Sequence, residues 1–408
     1  MINHNSNDFP NFQNSLNIQE EIHLRKKNGF KVVSCVMCNH GQQQYFSDVI
    51  ELTRTREKIF YFFANDYAVG EKQKFDTLKD LDFVDFSEYS RLEGIDVALH
   101  SEIHCRSPHV DERCFVGHGF PGKHTVWEER HLRSFNHYFM YGPKDREIIK
   151  FVTRNNPSIM NSISFWEVGY PKYDYQFNAT DVQIDKVSKK IGLDPDKKTI
   201  LFAPAWDPNG ILRTQGREIL NLFKTLDQYN FIIQLHPASL SAKKSEHYEF
   251  YTGGIDWKKE IRNQIGNDSK ERSNLFFPGL NSINPLFKVS DLLVTDFSGV
   301  TQGFCLENKP IICIDCPQYF ARTLEELGSD GDLSREHPLF NNGRHAAHLI
   351  SGIHKLEEEV SYALDNPDQK MDDRMEVAKQ LLYHPGKGTE TFLETLKKIL
   401  GIETEACA

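Results

Sequence analysis

The sequence predicts an α/β protein made of two doubly wound parallel-sheet lobes. Short apolar runs alternate with longer amphipathic stretches along nearly the whole chain, the pattern of strands joined by crossover helices. The 408 residues are enough for two domains, at roughly 150–200 residues each. Several of the apolar runs end in turns rich in Gly, Pro or His. Carboxyl ends of parallel strands are where open α/β sheets bind ligands.

Residues 1–28 are polar and Asn-rich and read as an arm with a loose helix over Ile18–Lys27. A first lobe, 29–190, follows. Its expected strands are Lys31–Met37, Ile59–Phe63, Phe83–Phe86, Ile95–His100, Cys114–Val116, Phe135–Tyr141 and Phe165–Val168. Helices are expected at Gln42–Arg54, Lys144–Thr153 and Asp181–Ile191, the second introduced by Gly142-Pro143. The polar link Gly192–Lys198 opens a second lobe, 191–385. Its strands are Thr199–Ala203, Phe231–Leu235, Asn274–Phe277, Leu292–Thr295 and Pro310–Ile314, with helices near Gly216–Leu226, Ser298–Leu306, Leu356–Leu364 and Asp372–Leu382. Residues 386–408 hold a last helix, Thr389–Leu400, and a tail.

Composition excludes several classes. A formal charge of −10 argues against nucleic acid as the main partner. No apolar run approaches the ~20 residues of a transmembrane helix. The N-terminus lacks the basic and apolar regions of a signal peptide, so a cytoplasmic location is expected. Eight scattered cysteines do not form a disulfide framework; the pairs Cys35/Cys38 and Cys313/Cys316 lie in or beside apolar strands and read as small hydrophobes. The histidines at 100, 104, 109, 118, 124, 131 and 137 match no standard metal-site spacing. A dehydrogenase-type turn fails because only Gly41 follows the first strand. A P-loop fails because no glycine stands at the required distance before Gly386-Lys387.

The stretch Asp291–Asp315, DLLVTDFSGVTQGFCLENKPIICID, is the most informative. A strand ends at Thr295-Asp296, turns at Phe297-Ser298-Gly299, and runs through a helix into a second strand. The turn places a hydroxyl, a carboxylate and backbone N–H groups at a helix start, where an anion is favoured. The same residues also read as an ordinary helix cap. Three further strand ends carry Val116-Gly117-His118-Gly119-Phe120-Pro121-Gly122-Lys123, Ala203-Pro204-Ala205-Trp206-Asp207 and Leu235-His236-Pro237. Glycines beside His118 let a substrate approach the backbone, and an imidazole suits general-base work. His236, followed by Pro237, is placed to donate to a pyrophosphate oxygen.

With Gly386-Lys387-Gly388-Thr389, these turns stand in the order of the CDP-glycerol glycerophosphotransferase family of teichoic-acid and capsule polymerases, which the chain resembles over roughly residues 90 to 400. The resemblance implies a GT-B fold: two Rossmann-like lobes facing a central cleft, with the C-terminal helix crossing back. It implies transfer of glycerol phosphate, or a related alditol phosphate, from a CDP-activated donor to an acceptor hydroxyl, releasing CMP. His118 and His236 take the catalytic positions. Gly119, Lys123, Pro204, Ala205, Pro237, Thr295, Asp296, Ser298, Gly299, Glu307 and Lys387 take substrate-binding ones, Glu307 as a carboxylate one helical turn beyond Gly303. The expected partners are CDP-glycerol or a similar donor and a polyol-phosphate or glycan acceptor, lipid-linked in the fuller reading, at the inner face of the membrane. No resident cofactor is expected, Mg2+ entering only with the nucleotide. The chain departs from the family at Phe120 and Ala205, each replacing a Thr, and at Asp207, Gln234, Gly299 and Gly303. These departures keep open a sugar-nucleotide glycosyltransferase or epimerase of the same fold, and a non-catalytic binding protein.

Overall fold

The computed structural model describes residues 17–37, 40–54, 56–65, 81–102, 107, 109–120, 132–241, 243, 248–266, 273–280, 282–319, 341 and 343–402. Two parallel sheets form from them. The first contains β1 (Lys31–Met37), β2 (Ile59–Asn65), β3 (Phe83–Asp85), β4 (Val97–His100), β5 (Glu112–Phe115), β6 (His137–Met140) and β7 (Ser164–Glu167), in the spatial order β3-β2-β1-β4-β5-β6-β7. The second contains β8 (Lys198–Phe202), β9 (Tyr229–Ile233), β10 (Leu275–Phe276), β11 (Leu292–Thr295), β12 (Ile311–Ile314) and β13 (His348–Ile350), ordered β10-β9-β8-β11-β12-β13. Each order reverses once, between β1 and β4 and between β8 and β11, and at such a switch point a doubly wound sheet opens a crevice for ligand.

Helices cover both faces, so central strands are buried along most of their length and read as unbroken apolar runs. In β1 every residue after Lys31 is buried, and in β8 every residue after Lys198. The second lobe packs Phe202, Phe223, Phe231, Trp257 and Leu292 into one cluster. The first lobe's cluster joins Val33, Phe63 and Leu99 to Phe392, Leu396 and Leu400 of the helix Gly388–Leu400. The last helix therefore crosses back, as expected, and Lys397 Nζ pairs with Glu57 at 2.7 Å.

A third cluster spans the two lobes. It unites Tyr141, Tyr170 and Tyr173 with Leu201, Ile232, Phe304 and Leu381. The helix Met371–Leu381 packs against both Pro143–Val152 of the first lobe and Val300–Cys305 of the second. The helix Asp181–Ile191, grouped with the first lobe in the sequence reading, packs on Asn284–Val289 of the second. The helices Trp257–Ile265 and Asn284–Val289 and the strand β13 have no counterpart in the elements read from the sequence.

Asp48, on the helix Gln44–Thr53 against which the last helix packs, keeps an exposed side chain, yet desolvation by the surrounding protein together with the Glu51 and Asp174 charges raises its pKa to about 6. The native state then holds a proton that an unfolded Asp has released between about pH 4 and 6, so stability falls as pH rises across that window. Asp48→Asn should raise the melting temperature at pH 7.5, by under about 1 kcal/mol of stability once solvent screening of this exposed carboxyl is allowed for. The gain should fade as pH drops through 6 toward 4. An equal gain at both ends would mean that the carboxyl's charge is not the cause.

Candidate active site

The carboxyl end of β5 runs through Val116 into the His118 turn. Gly117 adopts φ +65°, and a Cβ there would lie 2.8 Å from Tyr141 Oη. Only glycine holds this turn comfortably against Tyr141. Gly119 has no described atom within 4 Å of where a Cβ would stand.

His118 is exposed, and its Nδ1 lies 2.9 Å from the Ser101 carbonyl oxygen and 3.3 Å from Glu102 Oε1. A carbonyl only accepts, so Nδ1 carries the proton and the neutral ring keeps its lone pair on Nε2. Behind it, Gln42 Nε2 donates to Glu102 at 2.8 Å, and Ser101 Oγ donates to Gln42 Oε1 at 2.8 Å. These groups orient the ring as a carboxylate or carbonyl orients a catalytic base.

His236 has the opposite arrangement. It caps the short turn Pro237–Leu240, and its Nδ1 accepts the Ala238 N–H at 3.1 Å. The proton of the neutral ring therefore sits on Nε2, which makes the ring a hydrogen-bond donor. Trp206, just past β8, packs beside it with ring centroids 6.3 Å apart.

Asp296 organises the second lobe's crevice from within. It is 1% exposed and accepts three backbone N–H groups: Ala205 at 3.0 Å, Ile211 at 3.1 Å and Ser298 at 3.1 Å. The carboxylate thus pins the turns after β8 and β11 together. Thr295 Oγ1 is also turned inward, donating to the Ala203 carbonyl at 2.7 Å, and Pro204 and Ala205 are buried beside it. Ser298 is nearly buried at 9% exposure, whereas Gly299 is half-buried, with no described atom within 4 Å of a Cβ there. The helix they start, Val300–Cys305, has six residues. Anion binding there would rest on its few free N–H groups more than on a long dipole.

Other expected residues lie elsewhere. The helix ends at Cys305, so Glu307 falls in the turn beyond it rather than one helical turn along the face of Gly303, and it pairs with Lys288 Nζ at 3.0 Å. At the Gly386–Thr389 turn the anion is internal. Asp174 accepts the N–H groups of Gly388 at 2.8 Å and Thr389 at 2.7 Å, and the Thr389 hydroxyl at 2.7 Å. Lys387 is exposed beside it, and Lys123 lies outside the described residues. Among the described residues no three or more His, Cys, Asp or Glu side chains gather as metal ligands. No described helix is long and apolar enough to cross a membrane.

Phe120 and Tyr173 connect the two halves of the site. Phe120 stacks on Tyr173 with centroids 4.6 Å apart, and a Cβ on Gly303 would lie 2.5 Å from Tyr173 Oη. Gly303 is therefore the seat of the Tyr173 ring. Nearby, the buried Lys144 donates to Gln302 Oε1 at 2.7 Å across the lobes, and burial lowers its pKa to about 8. Sequence reasoning missed Glu102, Tyr173 and Lys144, whose partners are far away in the chain.

Residues 128–321 match the family model described as CDP-Glycerol:Poly(glycerophosphate) glycerophosphotransferase. The teichoic acid poly(glycerol phosphate) polymerase of Bacillus spizizenii is 26% identical over 159 residues, which cover 36% of this chain and 34% of that protein. The poly(ribitol-phosphate) polymerase of the same species is 29% identical over 153 residues, 35% of this chain and 21% of the relative. The matched region thus spans about a third or less of these curated relatives. The structure of the wall teichoic acid polymerase TagF superposes with a TM-score of 0.62 at 16% identity, covering 95% of each chain. The two-lobed GT-B fold implied by the motifs is the fold found. Over residues 128–321 this chain therefore matches the model of the CDP-glycerol:poly(glycerophosphate) glycerophosphotransferase family, on a GT-B-like frame.

Proposed function

We propose that this protein transfers a polyol phosphate, with CDP-glycerol as the first-choice donor, to an acceptor hydroxyl during cell-surface polymer synthesis. The observation that carries the reading is the opposed protonation of two histidines: His118 presents a lone pair on Nε2, and His236 presents a proton on Nε2. The acceptor oxygen attacks the donor's β-phosphorus, and a P–O bond forms. The bond from that phosphorus to the bridging oxygen breaks, and CMP leaves. The acceptor's proton moves to His118 Nε2 as it attacks. His236 donates a hydrogen bond to the phosphate on which charge grows, and the Ser298–Gly299 turn offers the Gly299 N–H and the Ser298 hydroxyl. No step uses a resident metal; Mg2+ enters only as a companion of the nucleotide. The acceptor in this reading is a polyol-phosphate or glycan chain, lipid-linked and met at the inner face of the membrane.

The test is CMP release from CDP-glycerol, CDP-ribitol and UDP-sugars, each with a polyol-phosphate acceptor, beside melting temperatures with each nucleotide. Turnover of a CDP-alditol alone supports the reading. Turnover of UDP-sugars in its place would move the protein to the glycosyltransferase or epimerase reading, and binding without turnover of any donor would leave a binding protein. Within that assay, Ser298→Ala should weaken donor binding by about 0.5–1.5 kcal/mol, one hydrogen bond's worth, with little change in ligand-free melting temperature. Unchanged affinity with a large stability loss would make Ser298 a structural cap.

A further inference from the structure

Among the described residues, Lys172 carries a charge that no carboxylate meets. It follows Pro171 in the segment that leaves the first lobe, between Tyr170 and Tyr173, and its own carbonyl accepts from Asn284 Nδ2 of the second lobe. Its side chain is part-buried, and Nζ stands 5.1 Å from the centroid of Tyr45 and 5.7 Å from that of Tyr173. Tyr45 also meets the His118 ring edge-on, with centroids 5.9 Å apart. Lys172 and His118 therefore share one aromatic ring. Among the described residues no carboxylate forms an ion pair or hydrogen bond with Lys172. The neighbouring Asp174 spends its carboxylate on Gly388 and Thr389. Cation–π contacts offset only part of an ammonium's lost hydration. Burial accordingly lowers its pKa to about 8.

We infer that Lys172 is an anion-binding residue of the cleft, and that its ligand is a phosphate of the acceptor chain, next to the hydroxyl that His118 deprotonates. The assignment to the acceptor side rests on the transferase reading above, since it follows from the contact with the ring that also holds His118. A compact ammonium suits this ligand because it meets a phosphodiester as a point charge without demanding one orientation. A phosphate of the polymer end docked on Lys172 would fix the terminal hydroxyl within reach of Nε2, which is positioning rather than proton transfer.

The test uses the full chain with Lys172→Met and Lys172→Arg and two separate probes, sn-glycerol 3-phosphate and CMP. Wild type should melt higher with either probe. Lys172→Met should lose the glycerol phosphate response and keep the CMP response, while Lys172→Arg keeps both. In turnover, Lys172→Met should raise the acceptor KM by about ten- to hundredfold, the loss of one charge-assisted contact, with a much smaller change in kcat. Ligand-free Lys172→Met should melt no lower than wild type, because no ion pair is removed. Loss of the CMP response instead would place the anion on the donor and overturn the acceptor assignment. An unchanged glycerol phosphate response in Lys172→Met, no response in wild type, or a ligand-free drop of several degrees would overturn the proposal, the last by making Lys172 a structural prop. The binding arms need no turnover: glycerol phosphate bound through Lys172 by a protein that cleaves no CDP-alditol would sink the transferase reading and leave the anion site standing.

Discussion

Replacing His118 with Ala should lower CMP release by about 10²–10⁴-fold while leaving donor binding nearly intact. That is the usual cost of losing a general base, a group that acts in the transition state rather than in ground-state binding. The fold should tolerate the change, because the side chain is 44% exposed and its hydrogen-bonding partner is a backbone carbonyl at the cleft edge. Melting temperature and CMP release measured on one preparation check both halves of the expectation. Glu102→Gln provides the companion measurement. It keeps the shape beside Nδ1 but removes the charge that favours the imidazolium, so its rate loss should be smaller than that of His118→Ala. A His118→Ala protein that turns over at the wild-type rate would remove the base from the mechanism.

Asp296→Ala should have the largest effect on stability, about 3 kcal/mol or more. The substitution leaves the buried N–H groups of Ala205, Ile211 and Ser298 without their acceptor, and each unsatisfied buried donor costs about 1–3 kcal/mol before relaxation. Chemical denaturation read on the second lobe's Trp206 and Trp257 gives the number. Donor affinity should fall as well, because the turns after β8 and β11 lose their shared anchor. Small effects on stability with a complete loss of donor binding would instead mean that the carboxylate serves the ligand directly.

The frame was legible because parallel strands buried on both faces leave plain apolar runs, as in Thr199–Phe202, Leu292–Thr295 and Ile311–Ile314. The turns at their ends were legible for the same reason: Gly, Pro and His stand out against such runs. What could not be read was which way the polar groups point. Asp296 is three residues from the half-buried Gly299 yet turns inward, because two backbone donors from the turn after β8 and one from its own turn converge on it. The start of the last helix looked like a phosphate turn, but its N–H groups meet Asp174, about 215 residues earlier. The orientation of His118 depends on Ser101 and Glu102 across the sheet. Periodicity carries local geometry, whereas these partnerships exist only once distant segments have met.

The return of the last helix to the first lobe sets an order of events in time. Phe392, Leu396 and Leu400 complete a core begun by Val33, Phe63 and Leu99. A ribosome delivers those early strands long before it delivers the helix that seals them, so the first lobe waits, with part of its interior uncovered, while the whole second lobe is synthesised. Among the described residues, the second lobe's own cluster draws on nothing beyond Leu364, and the cluster on its other face on nothing beyond Leu382, so that lobe can close earlier. Domains commonly mature in the order in which they emerge; in this chain the first lobe to be made is the last to be finished.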